Sequence, residues 1–239
     1  MIERVTEYPG YLIHFRPEKP SDTAVLLFHG FPANRNVKNL DLADVLYRER
    51  GYHVFLLHYR GLGESTGTFS FRQTIEEAIG IVDRVHRDLA PKKLIVIGHS
   101  WGGLVGMSVA ASRSEMVHQL ILLSPLCDLD KTHGLYGWIV RDVRQEFLGI
   151  YGDKSEEEVK ADIDYVIANH SPAKVVERFR PDMPVTLIQA GFDDTTIPRA
   201  AKALLEHFPT RPHYVELPMD HSFTESRREL AETILRAIE

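Results

Sequence analysis

Cysteine is almost absent from this sequence. Cys127 is the single one in 239 residues, so no disulfide can form within the chain, and the lone thiol fits a reducing cytoplasm. It follows an apolar run and reads as a buried structural thiol rather than a nucleophile. Long hydrophobic runs are also missing, and none approaches the ~20 residues a membrane helix needs. The start, Met1 to Glu7, has neither the basic head nor the apolar core of a secretory leader. These absences predict a soluble, cytoplasmic protein without a transmembrane segment. Positive charge is not in excess: 28 Lys and Arg against 34 Asp and Glu leave a net −6. With no basic stripe to neutralise phosphates, a nucleic-acid role is excluded. No closely spaced His pair or His/Cys cluster offers a ligand set, so neither metal nor cofactor is expected. There is no internal repeat and no low-complexity linker.

What is present is an ordinary globular composition, 44% hydrophobic and 26% charged, at a length an α/β domain commonly reaches. Tyr11 to Phe15 reads as a short strand after a Pro9-Gly10 turn. Ala24 to Phe28, His53 to Tyr59, Leu94 to Ile97, Leu120 to Leu123 and Pro184 to Ala190 are continuous apolar runs, the signature of strands buried on both faces. Between them, helical spacing recurs at Leu40, Leu42, Ala43, Val45, Leu46 and Tyr47, closed by Gly51. It recurs again from Ile75 to Leu89, stopped by Pro91. A helix around Ala200 to His207, a strand His213 to Leu217 and a helix from about Ser222 complete the chain. This alternation predicts an α/β fold: a mostly parallel twisted sheet with helices on both faces, in a single domain spanning 1–239. The pattern breaks over 128–180, where aromatics (Tyr136, Trp138, Phe147, Tyr151, Tyr165) replace strand signals. Ser155 and Glu158 there resemble a capping box. An insertion of this length after the sixth strand is expected to be a lid or cap.

The chemistry gathers around Gly98-His99-Ser100-Trp101-Gly102. An apolar strand leads in and the small-residue run Gly102 to Ala111 leads out, which sets Ser100 at the apex of a sharp strand–turn–helix. A serine hydroxyl needs a base. Of 12 histidines, His221 lies in the loop after the last strand, which opens on the same carboxyl edge as Ser100. His29 is the rival, since it also follows a strand. The base in turn needs a carboxylate to fix its tautomer. Gly191-Phe192-Asp193-Asp194 follows another strand, and chemistry alone does not choose between its two aspartates. Asp128 and Asp130 are weaker candidates, and Asp220 reads as a turn residue. An oxyanion hole requires two backbone N–H groups. Trp101, the residue after the serine, supplies one, and Phe31, after Gly30, the other. Both side chains are also candidates for lining the substrate pocket. Arg60 to Ser65 reads as a tight glycine turn anchored by Arg60. His99 is expected to pack beneath the serine turn, and the Trp101 ring either lines the pocket or buttresses the helix.

In order and spacing, His29-Gly30-Phe31, Arg60-Gly61-Leu62-Gly63-Glu64-Ser65, Gly98 to Gly102, Gly191 to Asp194 and His221 resemble the α/β-hydrolase superfamily across essentially the whole chain. The resemblance implies a serine hydrolase with the triad Ser100, Asp194 and His221. It places the acid three residues after the glycine, with Ile197-Pro198 trailing, and leaves Asp193 in reserve. Within the superfamily, His29-Gly30-Phe31-x-Ala33-Asn34 and the insertion look like microbial carboxylesterases of the cinnamoyl and feruloyl esterase type. The implied activity is hydrolysis of small to medium acyl or aryl esters through an acyl-enzyme. A peptidase or amidase, a thioesterase or lipase, and a slow-turnover binding protein are the alternatives. The expected partner is a small-molecule ester, and oligomeric state is open between monomer and homodimer.

Overall fold

The apolar runs assemble into one eight-stranded sheet. In chain order the strands are β1 (Ile2–Val5), β2 (Tyr11–Phe15), β3 (Thr23–Phe28), β4 (His53–His58), β5 (Lys93–His99), β6 (Gln119–Leu123), β7 (Val185–Ala190) and β8 (His213–Leu217). They lie side by side as β1-β2-β4-β3-β5-β6-β7-β8. Only β1 and β2 run antiparallel to their neighbours. The structure, a computed structural model, describes residues 1–5, 11–32, 37–63, 65–129, 134–143 and 149–238. The Pro9-Gly10 turn, Ala33-Asn34, Glu64, Asp130 and Phe147 lie outside these.

Alternation within the strands divides the core in two. Leu26, Phe28, Val96, Leu120 and Leu122 face one layer, with helices α2 (Phe71–Leu89) and α3 (Trp101–Ser112). Val25, Leu27, Ile95, Ile97, Ile121 and Leu123 face the other, with α1 (Val37–Arg50) and the C-terminal helix Arg227–Ala237. A parallel strand covered on both faces must be apolar throughout, which is why these segments show no polar alternation. Helix α3 is buried on every side, from Trp101 to Ala110, so it too lacks a polar face. No helix among the described residues is long and apolar enough to cross a membrane.

Two boundaries differ from the sequence reading. The strand Ile2–Val5 was not anticipated; it is short and held by pairing with β2. The last helix starts at Arg227, not near Ser222. Asp220 accepts from the Ser222 and Thr224 N–H groups and Phe223 has φ 54°, so those residues form a tight turn instead.

The insertion is helical where described: a short α4 (Gly134–Gly137) runs into a π-helical turn (Trp138–Asp142), followed by α5 (Glu156–His170) and α6 (Pro172–Val176). The expected capping box at Ser155 and Glu158 is present. One carboxylate fastens α5 to the body. Asp162 accepts hydrogen bonds from the Ser70 hydroxyl (2.9 Å) and from the Phe71 (2.7 Å) and Arg72 (3.2 Å) N–H groups, at the N-terminus of α2. A negative charge at a helix start satisfies orphan donors and the helix dipole together. Nearby, Phe69 N–H donates to Ile150 O, Lys154 donates to Phe69 O, and the Arg72 guanidinium lies 4.4 Å above the Tyr165 ring. Asp162→Ala is expected to remove about 2 kcal/mol of stability, lowering Tm by roughly 4–8 °C. Thermal unfolding followed by circular dichroism checks this.

Candidate active site

Strand ends bring the site together. The registers of β5, β6, β7 and β8 are parallel, so the segments after His99, Ala190 and Leu217 emerge on one edge of the sheet. Ser100 stands at the first of these exits, with φ 55° and ψ −119°. That backbone is costly for a residue with a side chain, by about 1–3 kcal/mol, and persists only where surroundings enforce it. The enforcement is visible. Ser100 N–H donates to Leu123 O, and Ser100 O accepts from the Gly103 and Leu126 N–H groups. On either side the chain passes so close to itself that no Cβ fits. A Cβ on Gly98 would lie 2.1 Å from Gly102 O, and one on Gly102 would lie 2.2 Å from Phe28 O. These contacts are the physical reason for glycine two residues before and after the serine.

His221 sits in the loop after β8, tied to the serine turn by its neighbour. His99 Nε2–H donates to His221 O at 2.8 Å, and the two rings lie 4.9 Å apart. His99 is thus packed against the turn, and burial holds its pKa at about 3, so it is neutral. The Nδ1 of His221 is 2.7 Å from Asp193 Oδ2. Asp193, not Asp194, therefore reaches the histidine. The side chain of Asp194 is exposed and meets only the Thr195 hydroxyl, at 3.3 Å. The turn itself makes the choice. Asp193 Oδ1 caps the N–H groups of Thr195 (2.9 Å) and Thr196 (2.8 Å), an Asx-type turn that swings Oδ2 inward. Asp194, one residue on, consequently points to solvent. Both aspartates are followed by N–H groups two and three residues on, so the sequence carries no local signal for the choice.

Burial alone would raise the Asp193 pKa, but the hydrogen bond and charge of His221 and the N–H and hydroxyl of Thr196 outweigh it and hold the carboxyl at about 2. Three further residues, not singled out from the sequence, build this corner. Thr196 Oγ1 lies 2.8 Å from Asp193 Oδ2 and 3.0 Å from Ser124 O. Ser124 Oγ accepts from the Ala190 N–H, and Gln189 reaches Asp193 Oδ2 from below at 3.3 Å. The backbone joins the acid and base loops directly, through Gly191 N–H to Leu217 O and Phe192 N–H to Met219 O.

The N–H groups of Phe31 and Trp101 donate to no other group among the described residues, which leaves both free for a ligand oxygen. The two side chains sit in different surroundings. The Trp101 ring is 3% exposed and packs edge-on against Phe71 at 4.9 Å, so it buttresses the helix rather than lining a pocket. The Phe31 ring is part-exposed and stacks on Phe69 at 4.6 Å, with Tyr151 of the insertion 6.4 Å away. His29 does not act as the alternative base. Its Nδ1–H donates to Gly30 O, its ring packs 4.0 Å from Tyr59, and burial holds it neutral with a pKa of about 4. Arg60 pairs with Glu77 of α2, which anchors the glycine turn. Asp128 stands outside the hydrogen bonding around His221. No group of three or more His, Cys, Asp or Glu among the described residues could hold a metal ion.

A strained serine at a strand-to-helix turn, on the carboxyl edge of a mostly parallel sheet that also carries a His–Asp pair, defines a hydrolase architecture. The model of the alpha/beta hydrolase fold family matches residues 23–148, more than half of the chain, and the chain belongs to that family. It is 25% identical over 191 residues to the Arabidopsis thaliana alpha/beta hydrolase domain-containing protein WAV2, covering 79% of this chain and 58% of that protein. The chain thus spans little more than half the length of that curated relative. Among solved structures it is similar to Est1E of Butyrivibrio proteoclasticus with ferulic acid bound. The TM-score is 0.73 and the identity 17%, over 99% of both chains. It is also similar to a monoacylglycerol lipase of Paleococcus ferrophilus, with TM-score 0.69 and 21% identity over 96% of both.

The two aspartates separate cleanly by experiment. Asp193→Asn is expected to lower kcat/KM for an ester by roughly 10³–10⁴-fold, while Asp194→Asn stays within about twofold, as surface changes do. Steady-state hydrolysis of a p-nitrophenyl ester reads both. The depressed Asp193 pKa also carries stability. It is present above the ordinary value of 3.8 and is lost as pH falls through about 2. Urea unfolding of the wild type over that window should lose about 2 kcal/mol, a loss that Asp193→Asn does not show.

Proposed function

We propose that this protein is a serine carboxylesterase that hydrolyses small to medium acyl or aryl esters through an acyl-enzyme. The observation that carries this reading is the 2.7 Å pair of His221 and a buried, ionised Asp193 beside the strained Ser100 turn. With Nδ1–H committed to Asp193, the neutral imidazole presents Nε2 as the base. Ser100 Oγ attacks the ester carbonyl carbon as Nε2 takes its proton, and the ionised Asp193 stabilises the imidazolium. The carbonyl oxygen gathers negative charge, and in this reading the Phe31 and Trp101 N–H groups receive it. Collapse expels the alcohol, protonated by His221. Water then attacks the acyl-enzyme by the same route in reverse and releases the acid.

The names of the similar structures support ester substrates: a monoacylglycerol lipase, and Est1E with ferulic acid bound. In this reading residues 128–180 form the cap over the acyl site, contributing Tyr151 to the aromatic wall that begins at Phe31. The exposed Glu157 and Glu158 give the outer face of that cap a solvated rather than lipid-facing surface, which favours dispersed esters.

Ser100→Ala is expected to abolish fluorophosphonate labelling and to cut ester hydrolysis by roughly 10⁴-fold or more. Retention of most of the rate would sink the assignment. A panel of p-nitrophenyl esters, methyl cinnamates and aminoacyl anilides should show turnover of the esters. Cleavage of the anilides alone would replace the esterase with a peptidase.

A further inference from the structure

Strand β7 reads Val-Thr-Leu-Ile-Gln-Ala and is buried throughout, yet it carries an amide at Gln189 with no exposed surface. A primary amide in a dry strand is unfavourable unless its polar atoms are used. One end of it is used heavily. The Nε2 lies 2.8 Å from Thr196 O, 3.1 Å from Ala190 O and 3.3 Å from Asp193 Oδ2. All three neighbours are acceptors, so the NH₂ must occupy that end, because the carbonyl there would meet three oxygens. The orientation has a cost that the structure shows: Oε1 is buried with no hydrogen-bond partner among the described residues. A glutamine that leaves its own carbonyl unpaired in order to point its donors at the acid turn is poorly explained as packing. Leu or Met would fill the same volume without the orphan.

The arrangement around the carboxylate completes the argument. Oδ1 is fixed by two backbone N–H groups, so the backbone determines where the aspartate sits. Oδ2 receives the His221 N–H, the Thr196 hydroxyl and the Gln189 amide. Thr196 Oγ1 has one proton and two acceptors, Asp193 Oδ2 and Ser124 O, so its share at the carboxylate is divided. Gln189 supplies two protons to the turn from a side chain that cannot rotate away.

We propose that Gln189 is a positioning residue: its amide holds the 190–196 turn from beneath and fixes how much of the Asp193 charge is available to His221. This rests on the serine-hydrolase reading above. A donor on Oδ2 draws charge from the carboxylate, so removing it leaves Asp193 more basic and the imidazolium of His221 more stable. The base then deprotonates at higher pH.

Gln189→Met keeps the volume and removes the donors. The acidic limb of the kcat/KM–pH profile is expected to move upward by roughly half a unit. The plateau kcat should fall by roughly tenfold, well short of the loss expected on removing the acid itself, with KM for a p-nitrophenyl ester within about twofold. A low-field proton NMR resonance of the His221 Nδ1–H, assigned by its loss in Asp193→Asn, should shift in the same variant. Gln189→Glu guards against a folding failure. Its shape is nearly that of glutamine, but it donates to Asp193 only when protonated. Its activity relative to wild type should therefore fall as pH rises while its circular dichroism and Tm stay unchanged over the same range, which a purely structural role would not produce. An unmoved limb, an unmoved resonance and a pH-independent Gln189→Glu, in protein that still labels at Ser100, overturn the proposal. Absence of labelling in the wild type instead overturns the hydrolase reading itself, so the two failures are distinguishable.

Discussion

The close approach of Gly102 to the carbonyl of Phe28, which leaves no room for a Cβ, is the constraint from which much else follows. It lets helix α3 begin directly over the end of β3 and puts Ser100 at the bend. It also brings the His29-Gly30-Phe31 loop beside the serine: a Cβ on Gly30 would stand 3.1 Å from that of Ser100. The strain at Ser100 is sustained by its bonds to Leu123 and Leu126, so β6 supports the turn made by β5. Site and scaffold are therefore the same set of contacts, seen from two sides.

The acid and base are organised differently. Neither is strained. Each is suspended in a loop by hydrogen bonds: Asp193 by Thr195 and Thr196 of its own turn and Gln189 of β7, and His221 by His99 at the end of β5. This division suits their chemistry. A nucleophile gains from being thrust out of the sheet, whereas a His–Asp pair gains from fixed donors and low dielectric.

Much of this was legible in the chain. Apolar runs without alternation announce a sheet covered on both faces, and small residues around a serine announce close backbone approach. Legibility ended where geometry depends on a turn rather than a pattern. Asp193 and Asp194 are chemically identical neighbours. Only the capping of two N–H groups, and the amide beneath them, decides which faces inward. Counting from Gly191 by family resemblance lands one residue past the aspartate that bonds to His221. Gln189, Thr196 and Ser124 show nothing in sequence, because their importance lies in three segments meeting at one carboxylate. The first strand escaped notice because four residues carry too little periodicity. Its stability comes from β2.

The 2.8 Å bond from His99 to the backbone of His221 joins residues 122 apart in sequence. It closes only when β8 has docked on β7, after every intervening crossover is in place. Loop-closure entropy makes such contacts late in folding. A chain with β3 to β6 assembled would already present Ser100 on its bend, yet, on the mechanism proposed above, would lack the residue that takes its proton. Chemical reactivity at that hydroxyl would then serve as a clock for the last stage of folding, rising when the C-terminal strand seats and staying silent before it.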